Sequence, residues 1–213
     1  MAKSFQGAWG NFSGKIGNII GRIRRGEQTL SIYQRNVDQP NTDSQLAQRL
    51  RFTLVVQLLT SMMGWLNVMG KPLAKIGQTG YNAIMALCYS GNPFTGSYPA
   101  ITLDYTKIKL SKGALELGFD LVANVDGNDI VVNWTDNSGQ GNAKENDLAC
   151  IAMYNEVKKI ALTNLQAAKR EDAAANITVP TSWNTDTLHV WIAFKNEGGD
   201  LVSDSSYLGS FTV

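Results

Sequence analysis

Leu188-His189-Val190-Trp191-Ile192-Ala193-Phe194 is the stretch whose reading decides the fold class. Successive side chains of a strand point to opposite faces, so Leu188, Val190, Ile192 and Phe194 share one face while His189, Trp191 and Ala193 share the other. The spacing predicts a strand. Segments of the same kind lie at 101–105, 107–110, 129–134, 148–154, 160–162, 176–179 and 207–213, separated by turn-rich stretches. About seven short strands over roughly 110 residues match the scale of an immunoglobulin or fibronectin type III β-sandwich. The expected class is mainly β with a helical N-terminal part (α+β), the sandwich filling 101–213.

Immediately before this run, residues 91–100 concentrate Gly91, Asn92, Pro93, Gly96, Ser97 and Pro99 and read as a linker, with a separate module over 1–90. Within that module Thr42 and Gln45 form a capping box ahead of Leu46, Leu50, Leu54, Val55, Leu58, Leu59 and Met62. Those steps of three and four predict a long helix ending at Gly64 or Gly70. A second, shorter helix is expected from Thr79, with Tyr81, Ile84, Met85 and Cys88 on its apolar side. Glycines at 7, 10, 14, 17 and 21 cost a helix about 1 kcal/mol each, so the N-terminus reads instead as a β-hairpin. Residues 15–24 form one arm of it, 25–27 the turn and 28–35 the return.

Hydrophobic residues make up 44% of the 213 and charged residues 17%, ordinary globular usage far from the signature of disorder. The net charge of +1 conceals a polarised chain: residues 1–90 hold 10 Lys and Arg against 3 acids, residues 91–213 hold 9 against 15. Cys88 and Cys150 read as reduced, buried thiols. The first residues lack an apolar core of the signal-peptide kind, and the apolar stretch at 52–63 is interrupted by Thr53, Gln57, Thr60 and Ser61. No signal peptide and no membrane span are expected, which places the chain in the cytoplasm unless a larger assembly carries it elsewhere.

The search for chemistry finds little. His189 is the single histidine and is expected on a sheet surface, without a nucleophile to serve. Asp136, Ser138 and Gln140, with Gly141 and Asp147, imitate part of a calcium loop, but Asp147 replaces the bidentate Glu and Lys144 stands among the ligand positions. A turn-rich loop accounts for the stretch without a metal. No Walker loop, CxxC, HExxH or GxSxG occurs. The expectation is a chain without enzymatic activity and without a cofactor.

The residues that stand out are Trp9, Phe12, Lys15, Arg22, Arg24, Arg25 and Arg35, a basic arm bearing aromatics. Such an arm suits either a phosphate backbone or an acidic protein surface, and the acidic second half favours protein contact, including a second copy.

Several segments carry a resemblance: Phe12-Ser13-Gly14-Lys15-Ile16-Gly17-Asn18; Thr42 with Gln45, Gln48, Arg49 and Phe52; Thr79-Gly80-Tyr81-Asn82; and Tyr98-Pro99 with Asp104-Tyr105. So do Trp134-Thr135-Asp136-Asn137-Ser138-Gly139 with Gly141-Asn142-Ala143, and Tyr207-Leu208-Gly209. Over nearly its whole length the chain resembles a domain-of-unknown-function family of Bacteroidota and their phages. Its Thr–Gln–Arg–Phe helix followed by Thr-Gly-Tyr-Asn is similar to a pattern near phage structural genes. The resemblance implies a virion or host-cytoplasmic setting, with other virion proteins or further copies as partners, and supplies no functional residues. The expected function is therefore that of a virion or assembly component, with nucleic-acid binding through the basic arm as the alternative.

Overall fold

The structure, a computed structural model, describes residues 3–4, 10–34 and 40–213. It divides into two compact units, the first ending at Thr42 and the second beginning at Asp43.

The first unit is an antiparallel ribbon in the order β1 (Lys3–Ser4), β2 (Phe12–Ile16), β3 (Ile19–Arg24) and β4 (Glu27–Ile32). The single arm expected over 15–24 is broken at Gly17-Asn18, where Ile16 pairs directly with Ile19. Gly-Asn is a two-residue hairpin connection, and Gly17 takes the left-handed φ of 57° that the turn needs. A second two-residue turn follows, with positive φ at both Arg25 and Gly26, as strand twist favours. The expected hairpin is thus a meander. Its register puts Ile16, Ile19 and Ile32 in one cross-strand row and Gly14, Gly21 and Leu30 in the next. Directly opposed residues share a face, so these rows lie on the same side of the ribbon.

The second unit begins with α1 (Asp43–Ser61), α2 (Met63–Met69) and α3 (Gly80–Ser90). Thr79 caps α3 by accepting a hydrogen bond from the Asn82 N–H at 3.2 Å. The axes of α1 and α2 differ by 86°, and among the described residues no single helix is long and apolar enough to cross a membrane. At the far end of α2 the backbones of Gly70 and Gly80 approach so closely that a Cβ on Gly70 would lie 2.4 Å from the Gly80 carbonyl oxygen. Only glycine fits there.

Behind the helices come a two-stranded ladder, β5 (Phe94–Thr95) with β6 (Thr102–Leu103), and then seven longer strands. These are β7 (Phe119–Asp126), β8 (Asp129–Thr135), β9 (Leu148–Asn155), β10 (Ile160–Lys169), β11 (Ala174–Thr178), β12 (Thr187–Lys195) and β13 (Ser206–Thr212). They form two antiparallel sheets, one in the order β10-β9-β12-β13 and the other β11-β8-β7. The chain is mainly β with a helical N-terminal part, as expected.

The two central strands of the larger sheet are buried on both faces. Cys150, Ala152, Tyr154, Trp191 and Ala193 pack under the helices against residues such as Leu58, Trp65, Leu66 and Ile84. Ile151, Met153, Val190, Ile192 and Phe194 pack on the other side against Ile130, Val132, Trp134 and Ile177 of the smaller sheet. The second unit therefore has three layers: helices, four-stranded sheet, three-stranded sheet.

Three expectations are revised by this arrangement. Residues 91–100 lie inside the second unit, where Phe94 packs against the helix–sheet core and the Asp104 N–H donates to the Pro93 carbonyl, so the contact boundary falls at Thr42 and not at the expected linker. Residues 107–110 make no ladder; their carbonyls accept from tryptophan indoles instead, Ile108 from Trp191 at 3.1 Å and Leu110 from Trp65 at 3.4 Å. The strand β7 was not expected, because a register shift between Phe119 and Val122, with Asp120 at a φ of 48°, blurs its alternation.

The layering makes a direct prediction. Residues 43–213 expressed alone should unfold in one cooperative transition, whereas 101–213 alone should bind a hydrophobic dye and melt without cooperativity, because the Trp191 face has lost its cover. A cooperative melt of 101–213 with no dye binding would contradict the three-layer account.

Candidate functional site

The basic arm is where the structure concentrates the residues singled out from the sequence. Phe12, Lys15, Arg22 and Arg24 all lie on the ribbon, and Arg25 sits in its second turn; Trp9 and Arg35 fall outside the described residues. The register separates them by face. Phe12 joins Gly14 and Ile16, Ile19 and Ile23, and Leu30 and Ile32 on one side, with its ring over Gly21. Lys15, Arg22 and Arg24 lie on the other, with Ile20, Ser31 and Glu27. The Lys15 ammonium is 3.4 Å from the centre of the Tyr33 ring, and among the described residues Arg22, Arg24 and Arg25 form no ion pair. The apolar side is open: Ile16, Ile19, Leu30 and Ile32 are 55, 46, 58 and 78% exposed. Sequence reading found the cations but not their segregation, since the turn at Gly17-Asn18 fixes which residues face together.

A second feature went unseen in the sequence. Between α1 and α3 runs an open groove of about 930 Å³ whose lining includes Phe52, Val56 and Met85, with the Gln48 amide donating to the Tyr89 hydroxyl. Gln48, Arg49, Phe52, Tyr81 and Asn82, which carry part of the family resemblance, line this groove.

The loop that imitates a calcium site is organised around an internal cation. The fully buried Arg170 guanidinium donates from Nε to Asp147 at 3.2 Å, from Nη1 to the Asn137 side-chain oxygen at 2.5 Å and from Nη2 to the Glu116 carbonyl at 2.9 Å. It also stacks over Phe194, 4.2 Å from the ring centre. Burial pulls the Arg170 pKa down, opposed by the Asp147 carboxylate. Asp147, read from sequence as a mimic of the last calcium ligand, also accepts from the Lys144 N–H at 2.8 Å. Among the described residues, no group of three His, Cys, Asp or Glu side chains is placed to hold a metal ion.

His189 is buried, not on a sheet surface as expected. It stacks on Tyr105 at 3.7 Å, with Nδ1 2.8 Å from the Tyr207 hydroxyl and Nε2 3.3 Å from Glu156. A neutral ring satisfies both contacts, Tyr207 donating to Nδ1 and Nε2–H donating to Glu156. Burial holds the His189 pKa below its usual value, against the opposing pull of Glu156, and Lys159 adds to the lowering. Burial also pushes the Tyr154 phenol and both thiols up to about 12; Cys88 donates to the Lys109 carbonyl and Cys150 to that of Leu165. These groups are poised for packing, not for proton transfer at neutral pH.

Two measurements follow. Arg170→Ala leaves the Asp147 carboxylate buried without its cation and should cost about 3–5 kcal/mol in urea unfolding, with part recovered in Arg170→Met combined with Asp147→Asn. A loss under about 1 kcal/mol would remove Arg170 from the centre of this loop. For His189, the unfolded chain takes up a proton near pH 6.5 while the folded chain resists until lower pH. Its contribution is therefore complete above pH 6.5 and is lost as pH falls from there through the folded pKa. His189→Gln should flatten the stability profile in that window, and an unchanged slope would show that other groups set it.

No curated protein and no solved structure matches the chain. Residues 10–209, which take in the described ribbon from β2 onward, the helices and both larger sheets as far as the middle of β13, match the model of a family of unknown function, DUF6266, and the chain belongs to that family.

Proposed function

We propose that this protein is a non-enzymatic structural component that works through protein–protein contacts, a virion accessory or assembly protein of a bacteriophage whose ribbon is the assembly element. The observation that carries the reading is the ribbon's open apolar face. Four large aliphatic side chains on a small antiparallel ribbon are more than half or nearly half exposed, and a small sheet gains stability only when such a face is covered. The virion setting rests on the phage resemblance, and the partners it suggests are further copies or other virion proteins. On this reading the second unit is the projecting body, with a sandwich of the fibronectin type III kind. Supporting that, the first, second and fifth of its seven longer strands form one sheet and the fourth, third, sixth and seventh the other. This is the immunoglobulin arrangement with the fourth strand moved across to the opposite sheet.

A second reading has its own support. Lys15, Arg22 and Arg24 on one face, with Arg25 at the turn, make a cationic surface that a nucleic-acid backbone would neutralise.

Deleting residues 1–42 tests both readings. The full chain should form concentration-dependent oligomers by light scattering and enter particles, while 43–213 should be monomeric and excluded. If instead both forms are monomeric and enter particles equally, the assembly reading fails. A ribbon-dependent gel shift that weakens steeply with salt would favour the second.

A further inference from the structure

We infer that the outer edge of β4 takes up an extended strand from a partner protein, one whose residues alternate between aliphatic and acidic side chains. The inference rests on the assembly reading and adds to it the chemistry of the partner. The two edges of the ribbon are unlike. β1 is two residues long and carries Lys3, the kind of short, charged edge that resists pairing. β4 runs six residues in unbroken register with β3 and holds no Lys, Arg or Pro, so nothing in its sequence blunts the edge.

The hydrogen-bond pattern fixes which groups that edge offers. The Tyr33 N–H donates to the Asn18 carbonyl at 2.7 Å, which makes Asn18 and Tyr33 a hydrogen-bonded pair. Such pairs alternate along an antiparallel ladder, so the backbone groups of Thr29 and Ser31 turn toward β3 and those of Gln28, Leu30 and Ile32 turn outward. Among the described residues, no strand pairs with β4 on that outer side. Three residues thus present their N–H and C=O groups at the spacing an added strand needs.

Side chains decide what that strand carries, because its alternate residues continue the ribbon's two faces. On one face its neighbours are Leu30 and Ile32, 58 and 78% exposed, beside which aliphatic side chains pack. On the other its neighbours are Thr29 and Ser31, and Arg22 stands directly behind Thr29, two strand spacings or about 10 Å from the new backbone. A carboxylate laid over Thr29 meets that guanidinium, which, like that of Arg24, has no ion pair among the described residues. A second copy of β4, paired about Leu30 so that every outward group is used, sets Ser31 beside Thr29 and brings no acid there. A nucleic acid would meet the cations and leave the edge and its aliphatic side chains unused.

The test uses the full-length protein and a dye-labelled peptide, Val-Glu-Val-Glu-Val-Glu-Val, followed by fluorescence anisotropy. The peptide should bind, less tightly as salt rises. The same peptide N-methylated at its valines, which face the edge, should bind at least tenfold more weakly, and so should the peptide with lysine in place of glutamate. Arg22→Glu in the protein should weaken the acidic peptide at least tenfold. Undiminished binding of the N-methylated peptide overturns strand addition. Equal binding of the lysine peptide, or indifference to Arg22→Glu, overturns the acidic partner. A single-stranded oligonucleotide that displaces the acidic peptide, with N-methylation making no difference, gives the cations to nucleic acid and overturns the inference. If no peptide binds while deletion of residues 1–42 still abolishes oligomers, strand addition falls and the ribbon remains the assembly element through another surface. If no peptide binds and the full chain does not oligomerise, both readings fall together.

Discussion

Burial of β9 and β12 on both faces is the constraint around which the second unit is built. A strand buried on one side needs one cover; these two need a pair, and the covers come from different parts of the chain. The helices over 43–90 supply the first, and β7, β8 and β11 the second. Trp191 and Phe194, three residues apart on one strand, belong to different cores. Each fully buried large aliphatic or aromatic side chain contributes on the order of 1.5–3 kcal/mol, so neither cover is dispensable. The helices are thus a layer of the second unit.

Where the layers do not satisfy backbone polar groups, long side chains do. Trp65 and Trp191 donate to the segment after the short β6, and Trp134 donates to the carbonyl of Arg170 at 2.8 Å. The Ser205 hydroxyl accepts from the Leu110 and Ser111 N–H groups, and the Ser111 hydroxyl donates to the Ser203 carbonyl. Arg170 plays the same part for the Glu116 carbonyl ahead of β7 while holding the Asn137 and Asp147 side chains of the loop between β8 and β9, with the difference that its charge is itself buried and depends on Asp147. Such contacts let irregular chain lie against a packed core without leaving unpaired groups.

Much of this was legible in the sequence. The period of two exposed six of the seven longer strands, and Thr42 and Thr79 marked two helix starts. What escaped notice was relational. His189 and Trp191 looked like the outer side of a half-buried strand, because a period-two pattern shows which residues share a face and not what lies opposite. Asp147 stood at the last position of a loop that only partly imitates a calcium site, and its partner is the side chain of Arg170, 23 residues away. The ribbon's amphipathic character is hidden because the turn at Gly17-Asn18 reads in the sequence as the middle of a strand. The groove between α1 and α3 needed two helices, separated by α2, to be brought side by side.

The two cysteines have a consequence for the covalent life of the chain. Each thiol is enclosed in the helix–sheet core and engaged with a different backbone carbonyl, and burial keeps each far from the thiolate form that begins disulfide exchange. Passage between a reducing and an oxidising environment therefore leaves the folded chain with the same bonds it had before. Its stability rests on packing, hydrogen bonding and the buried Arg170–Asp147 pair, without a cross-link between these two thiols.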